Sequence, residues 1–241
     1  NNPFFVTVSG KYAYVVNYGS ASLSIYDVTN PLLATTTLAT LGGFSNPVSV
    51  AVSGKYAYIA NYGNNTISVL DVSNPASPSI ISSVGVGTQP YSVAVVGKYV
   101  YSANLGSDNV SVVDISSPVS PLLVNTVSVG DGPGYVSVSG EYAYVVNNVD
   151  STLSILDISN PRAPSVVSTL STGGTGPQSV SISGNYAYVP NYNSNSLSVI
   201  NISNVASPFV VATTSVPGGP SASFVAGRYM YIPTYATHTL T

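Results

Sequence analysis

The chain has 241 residues, 44 % of them hydrophobic and only 5 % charged, with a formal net charge of −3 and no cysteine. This composition supplies a packed interior and lies far from a disordered one, while disulfide staples and thiolate chemistry are unavailable. Five scattered Lys and Arg cannot neutralise a run of phosphates, and no stretch of about 18 apolar residues is present, so neither nucleic-acid binding nor membrane insertion is expected.

From the N-terminus, "VSGKYAYVVNYG" fills residues 8–19 and returns as "VSGKYAYIANYG" at 52–63 and "VSGNYAYVPNYN" at 182–193. The glycine before each Tyr-x-Tyr pair falls at Gly10, Gly54, Gly97, Gly140, Gly184 and Gly227, in steps of 44, 43, 43, 44 and 43. The second repeat shows what one unit contains. "PVSVAVSG" alternates with a period of two, and Gly54-Lys55 turns the chain into "YAYIAN". "GNN" leads to "TISVLDVS", "NPASP" stops ladder pairing, and "SIISSVGVG" is the fourth strand. A 43–44-residue period of four antiparallel strands predicts an all-β fold, a β-propeller of four-stranded blades. The repeats run approximately 1–44, 45–88, 89–131, 132–175, 176–218 and a partial 219–241, and are expected to form a single propeller domain. The last blade is expected to lack most of its third strand and its fourth, the ring being completed by residues outside 1–241. One blade cannot bury its own two apolar faces, so each should stack on the next. Tyr12, Tyr14, Tyr56 and Tyr58 recur in every unit and are therefore assigned to the core.

The third strands, "LSIYDVTNP" (23–31), "ISVLDVSNPASP" (67–78), "VSVVDISSPVSP" (110–121) and "LSILDISNPRAP" (153–164), resemble LVIVD repeats. "GTQPYSVAVVGKYVYSAN" is similar to the related YVTN repeats. The resemblance implies propeller blades, commonly of secreted or cell-surface proteins, and brings no catalytic motif with it. The fifth copy departs from the pattern, with Asn201 in place of Asp and Val205 in place of Pro.

Half of the eight carboxylates, Asp27, Asp71, Asp114 and Asp157, precede the turn that follows the third strand, where each is expected to accept that turn's N–H groups rather than bind metal. The single His, His238, has no partners for a nucleophilic triad, and Glu141 occupies a hairpin tip held elsewhere by Lys or Arg. Paired acid–base carboxylates would have to come from Asp108, Asp131 and Asp150, spread over successive repeats. No cofactor is implied.

The end of the second strand carries Asn17, Asn61, Asn104, Asn147 and Asn191, with Thr234 in the sixth unit; Tyr18, Tyr62, Tyr192 and Tyr235 follow four of these positions. Amides beside aromatic rings suit a neutral glycan or peptide, although Asn at such positions also caps strands. The expectation is a non-enzymatic extracellular or surface-associated scaffold for adhesion, display or assembly; the alternative is a hydrolase or lactonase-like propeller enzyme whose catalytic residues are scattered or lie outside 1–241. Asn64, Asn109 and Asn201 begin glycosylation sequons, in keeping with an extracellular setting. The uncharged fourth strands suggest lateral self-assembly, with Thr36 and Ser82 as outward positions.

Overall fold

The computed structural model describes residues 2–30, 32, 36–235 and 239–240. Every regular element among them is a strand, as the two-residue alternation requires. The first blade is β1 (Pro3–Ser9), β2 (Tyr12–Asn17), β3 (Ser22–Asp27) and β4 (Thr37–Gly42). The second is β5 (Pro47–Ser53), β6 (Tyr56–Asn61), β7 (Thr66–Asp71) and β8 (Ser79–Gly85). The third is β9 (Pro90–Val96), β10 (Tyr99–Asn104), β11 (Asn109–Asp114) and β12 (Leu122–Ser128). The fourth is β13 (Pro133–Ser139), β14 (Tyr142–Asn147), β15 (Thr152–Asp157) and β16 (Ser165–Ser171), and the fifth β17 (Ser181–Ser183), β18 (Tyr186–Asn191), β19 (Ser196–Asn201) and β20 (Phe209–Ser215). Then come β21 (Phe224–Ala226), β22 (Tyr229–Tyr231), β23 (Pro233–Thr234) and β24 (Thr239–Leu240), an incomplete sixth blade made of the pairs β21–β22 and β23–β24. The complete sheets keep chain order, each strand antiparallel to its neighbour, which is the propeller blade expected from the repeat.

Gly54, at φ +57, opens the two-residue hairpin between β5 and β6, a conformation that side chains with a Cβ disfavour. Where the chain enters a blade, the ladder is interrupted. Phe4, Val48, Tyr91 and Gly134 are each skipped in the register between the first and second strands. Such bulges re-aim a side chain beside a loop.

The chain divides into two compact units, Asn1–Ser107 with Ser111–Thr126, and Asp108–Val110 with Val127–Thr241. In the first, β1 lies against β5 and β5 against β9. Tyr14, Val16, Leu23 and Ile25 pack with Val50, Ala57, Ile59 and Leu70, so a large Tyr face meets a small Ala face, as the alternation predicts. In the second, Tyr144, Val146, Leu153 and Ile155 meet Val180, Ala187, Val189 and Ile200 in the same way. Burial pushes the Tyr58 and Tyr101 phenols up to about 12, with the adjacent Tyr56 and Tyr99 adding to it. Ser82 does not point outward: its hydroxyl donates to the Pro118 carbonyl of the next blade at 2.5 Å.

Candidate functional site

In the second to fifth blades the loop after the second strand meets the loop entering the first, and backbone hydrogen bonds join them. The residue before each entering proline is left-handed: Asn46 at φ +50, Gln89 at +53, Gly132 at +65 and Gly176 at +65. Their carbonyls accept the N–H of Tyr62 (3.1 Å), Leu105 (2.9 Å), Asn148 (2.8 Å) and Tyr192 (2.9 Å). A side chain latches the next blade onto this joint. Asn65 accepts the Gln89 N–H at 2.8 Å, Asp108 the Gly132 N–H at 2.9 Å and Asn195 the Gly219 N–H at 2.8 Å.

Asn17, Asn61, Asn104, Asn147 and Asn191 are all buried, and so is Thr234. Each amide donates to a third-strand serine: Asn17 to Ser24 at 3.0 Å, Asn61 to Ser68 at 2.8 Å, and Asn104, Asn147 and Asn191 to Ser111, Ser154 and Ser198 at 2.9 Å. The reason lies in the register. Asn61 pairs with Thr66, which places Ser68 on the same face one alternation away. These buried amides peg the second strand to the third inside the blade, and Asn61 and Asn191 also hold the entering loop by accepting from the Ser45 N–H and the Thr172 hydroxyl.

The tyrosines after them remain accessible: Tyr18 and Tyr235 are exposed, Tyr62 and Tyr192 half-buried. In the first unit Tyr18 meets Phe4 with ring centroids 6.0 Å apart, Phe4 meets Tyr91 at 5.7 Å and Tyr91 meets Tyr62 at 6.1 Å. Burial raises the Tyr91 phenol above its ordinary value, and Tyr62 and Tyr18 raise it further. Phe4 and Tyr91 are the bulged residues, and the sequence signal for them was a bulky residue directly after the entering proline. In the second unit Tyr192 and Tyr235 stand 6.3 Å apart. Of the sequon residues, Asn64 is exposed in a turn, Asn109 is half-buried as the first residue of β11, and Asn201 accepts the N–H and hydroxyl of Ser203.

The carboxylates fall into two groups. Asp27, Asp71, Asp114 and Asp157 accept the N–H two residues on, at 2.8–2.9 Å, as turn caps. For Asp27, Asp71 and Asp157, the hydroxyl and then the amide of Thr29, Ser73 and Ser159 hold the carboxyl below its ordinary range. Asp108, Asp131 and Asp150 behave differently. Asp150 accepts the Asp131 N–H at 2.8 Å, and Asp108 accepts the next amide, that of Gly132. Two consecutive amides thus draw three acids from two successive repeats around residues 130–132. A Cβ on Gly130 would lie 2.7 Å from both Asp150 Oδ2 and Asn147 Nδ2. Buried Asn147 Oδ1, behind this loop, has no hydrogen-bond partner, whereas Asn191 Oδ1 accepts the Thr172 hydroxyl at 3.0 Å.

This cluster marks a departure from the repeat. The positions of Asp108 and Asp150 are filled elsewhere by Asn65 and Asn195 and by Ser107 and Ser194, which make the equivalent bonds. Architecture needs only a neutral acceptor there, so the charge is additional. Among the described residues, no group of three or more His, Asp or Glu has the arrangement of a metal site. His238 lies outside the described residues.

The chain matches the family model described as "Lactonase, 7-bladed beta-propeller" over residues 1–220. It belongs to that family. This overturns the expectation of a protein that is not an enzyme, and gives no support to an adhesive or structural role. The expectation rested on the lack of a catalytic motif in the repeats, a local signal that says nothing of residues brought together from different repeats. Solved lactonase-type propellers share the fold. A periplasmic gluconolactonase of Pseudomonas aeruginosa aligns at 20 % identity with a TM-score of 0.85, covering 97 % of this chain and 78 % of that one. A Bacteroides fragilis protein provisionally assigned as a 6-phosphogluconolactonase aligns at 17 % identity and a TM-score of 0.85, covering 99 % and 79 %. A functionally unknown protein from Desulfotomaculum acetoxidans aligns at 14 % identity and a TM-score of 0.83, covering 96 % and 78 %. No curated protein matches the chain.

Proposed function

We propose that this protein is a lactone hydrolase whose acid–base groups are the carboxylates around residues 130–132. The observation that carries the reading is the lactonase family match over residues 1–220. The cluster supplies the chemistry such a reaction needs. Water attacks the lactone carbonyl, a new C–O bond forms, the ring C–O bond breaks, and a hydroxy acid leaves. A carboxylate that takes the water's proton and returns it to the departing ring oxygen accelerates both steps, typically by 10²–10⁴-fold. Asp131 sits at the loop tip in that role. Asp150 fixes the loop through the Asp131 N–H, and Asp108 fixes it through Gly132. Gly130 lets the strand-end Asn147 and Asp150 approach the backbone.

The finer assignments belong to the same reading. The third-strand motif supports reading the blades as LVIVD-like repeats within the lactonase propellers. The likeness to a periplasmic gluconolactonase supports an exported location, and no described helix is long and apolar enough to cross a membrane. In the first unit the aromatic row of exposed Phe4 and Tyr18 with half-buried Tyr62 and Tyr91 is a surface on which a sugar ring can stack. The test is a panel of sugar and aliphatic δ- and γ-lactones, followed by base uptake at constant pH. Hydrolysis of at least one above the buffer rate, proportional to protein concentration, supports the reading; buffer rates throughout the panel refute it.

A further inference from the structure

Every positive side chain of this protein sits at the same end of its blade. Lys11, Lys55, Lys98 and Arg228 lie in the turn between first and second strands, and Arg162 lies in the turn between third and fourth; together they are all five Lys and Arg of the chain. In an antiparallel blade those two turns share one end. The loop after the second strand and the loop entering the next blade share the other, which is where Asp108, Asp131 and Asp150 gather. Strands of six or seven residues separate the two ends by roughly 20 Å at about 3.3 Å per residue. At physiological salt, with a screening length of about 8 Å, a cation at one end does little for an anion at the other.

A phosphate could still be held by backbone N–H groups in a left-handed loop. Here those donors are taken. The Asp131 and Gly132 amides serve Asp150 and Asp108, and Thr175 N–H donates to Ser194 at 3.0 Å. Gly176 N–H donates to Ser151 at 3.3 Å, and both Gly218 and Gly219 donate to Asn195. At the acid-bearing end of the second unit an anion thus meets repulsion, and each of these loop amides is already committed to a side chain. It also offers Asn and Ser side chains, which suit hydroxyl groups.

We infer that the substrate is an unphosphorylated, uncharged polyhydroxylated lactone, and that Asp108, Asp131 and Asp150 exclude its phosphorylated counterpart. This rests on the hydrolase reading above. The experiment compares glucono-δ-lactone with its 6-phosphate on the purified protein at pH 8 and low salt, with kcat/KM as the readout. At least a tenfold preference for the neutral lactone is expected, narrowing as salt is raised. Asp108→Asn should raise the relative rate on the phosphorylated lactone, because the amide still accepts the Gly132 N–H and one charge is gone. Equal or faster hydrolysis of the 6-phosphate would overturn the inference while leaving the hydrolase reading in place. A turnover-independent arm follows binding of glucose and glucose 6-phosphate, as non-hydrolysable rings, by ligand-observed NMR. Binding of glucose alone supports the inference even if no lactone is turned over, an outcome that would remove the hydrolase reading instead. Binding of the phosphorylated ring, or of neither, overturns the inference.

Discussion

Replacing Asn61 with Ala tests whether the recurrent amides are pegs inside the blades. Asn61 donates to Thr66 at 3.1 Å and to Ser68 at 2.8 Å, and accepts the Ser45 N–H at 3.4 Å. The residue is 1 % exposed, so water cannot replace these partners without entering the blade. Two donor bonds at about 1 kcal/mol each, with a buried Ser68 hydroxyl left short of a partner, give a cost of about 2–4 kcal/mol. For a chain of this size each kcal/mol lowers Tm by about 2–4 °C, so a fall of roughly 5–15 °C is expected. Urea unfolding followed by near-UV circular dichroism gives the free energy directly. A loss under about 0.5 kcal/mol, accompanied by weakened binding of sugars, would refute the reasoning and return Asn61 to the ligand surface.

Gly132→Ala should cost about 2 kcal/mol or more and lower activity with it, since φ is +65 and the new Cβ would meet Val149 Cγ2 at 2.6 Å; the check is thermal unfolding alongside lactone hydrolysis. Stability should fall as pH rises from about 10 towards 12, because the unfolded chain ionises its tyrosines first while Tyr58 and Tyr101 stay protonated to about 12. Tyrosinate absorbance should then appear together with unfolding, and Tyr58→Phe should flatten the alkaline limb. At the other extreme, the depressed carboxyls of Asp71 and Asp157 contribute stability above their unfolded value that is lost as pH falls through the folded one. Asp71→Asn, which keeps an acceptor for Ser73, should make the acid limb shallower, and an unchanged urea midpoint profile against pH would contradict the capping role.

The fold was legible because its signals are local. Alternation, a hairpin glycine and an Asp before a Pro-containing turn each act within a few residues, and a fixed period copies them into every blade. The second repeat's four predicted strands correspond to β5–β8. The fifth blade is less regular: its entering strand shortens to Ser181–Ser183, with Pro177 bridging Asn191 separately. The candidate acid cluster was not legible in the same way, because it is made where one repeat reaches the next. Asp108 meets Gly132 across 24 residues and Asp150 meets Asp131 across 19. Repetition singles out the constant Asn positions, which the structure buries. Asp108, Asp131 and Asp150 stand out in the sequence as separate acids, but nothing local tells that one loop draws them together, with acids at 108 and 150 in place of the Asn and Ser of other blades.

The most direct test of the central claim is the initial rate of proton release from a hydrolysed sugar lactone by the wild type and by the Asp131→Asn, Asp150→Asn double variant. The amide at position 150 can still accept the backbone N–H of residue 131 that shapes the loop, so the variant should fold with an unchanged far-UV spectrum and Tm. The account predicts a loss of at least about 100-fold in kcat/KM, the scale of a missing general base. A folded variant with wild-type turnover would contradict it and place the chemistry elsewhere on the molecule.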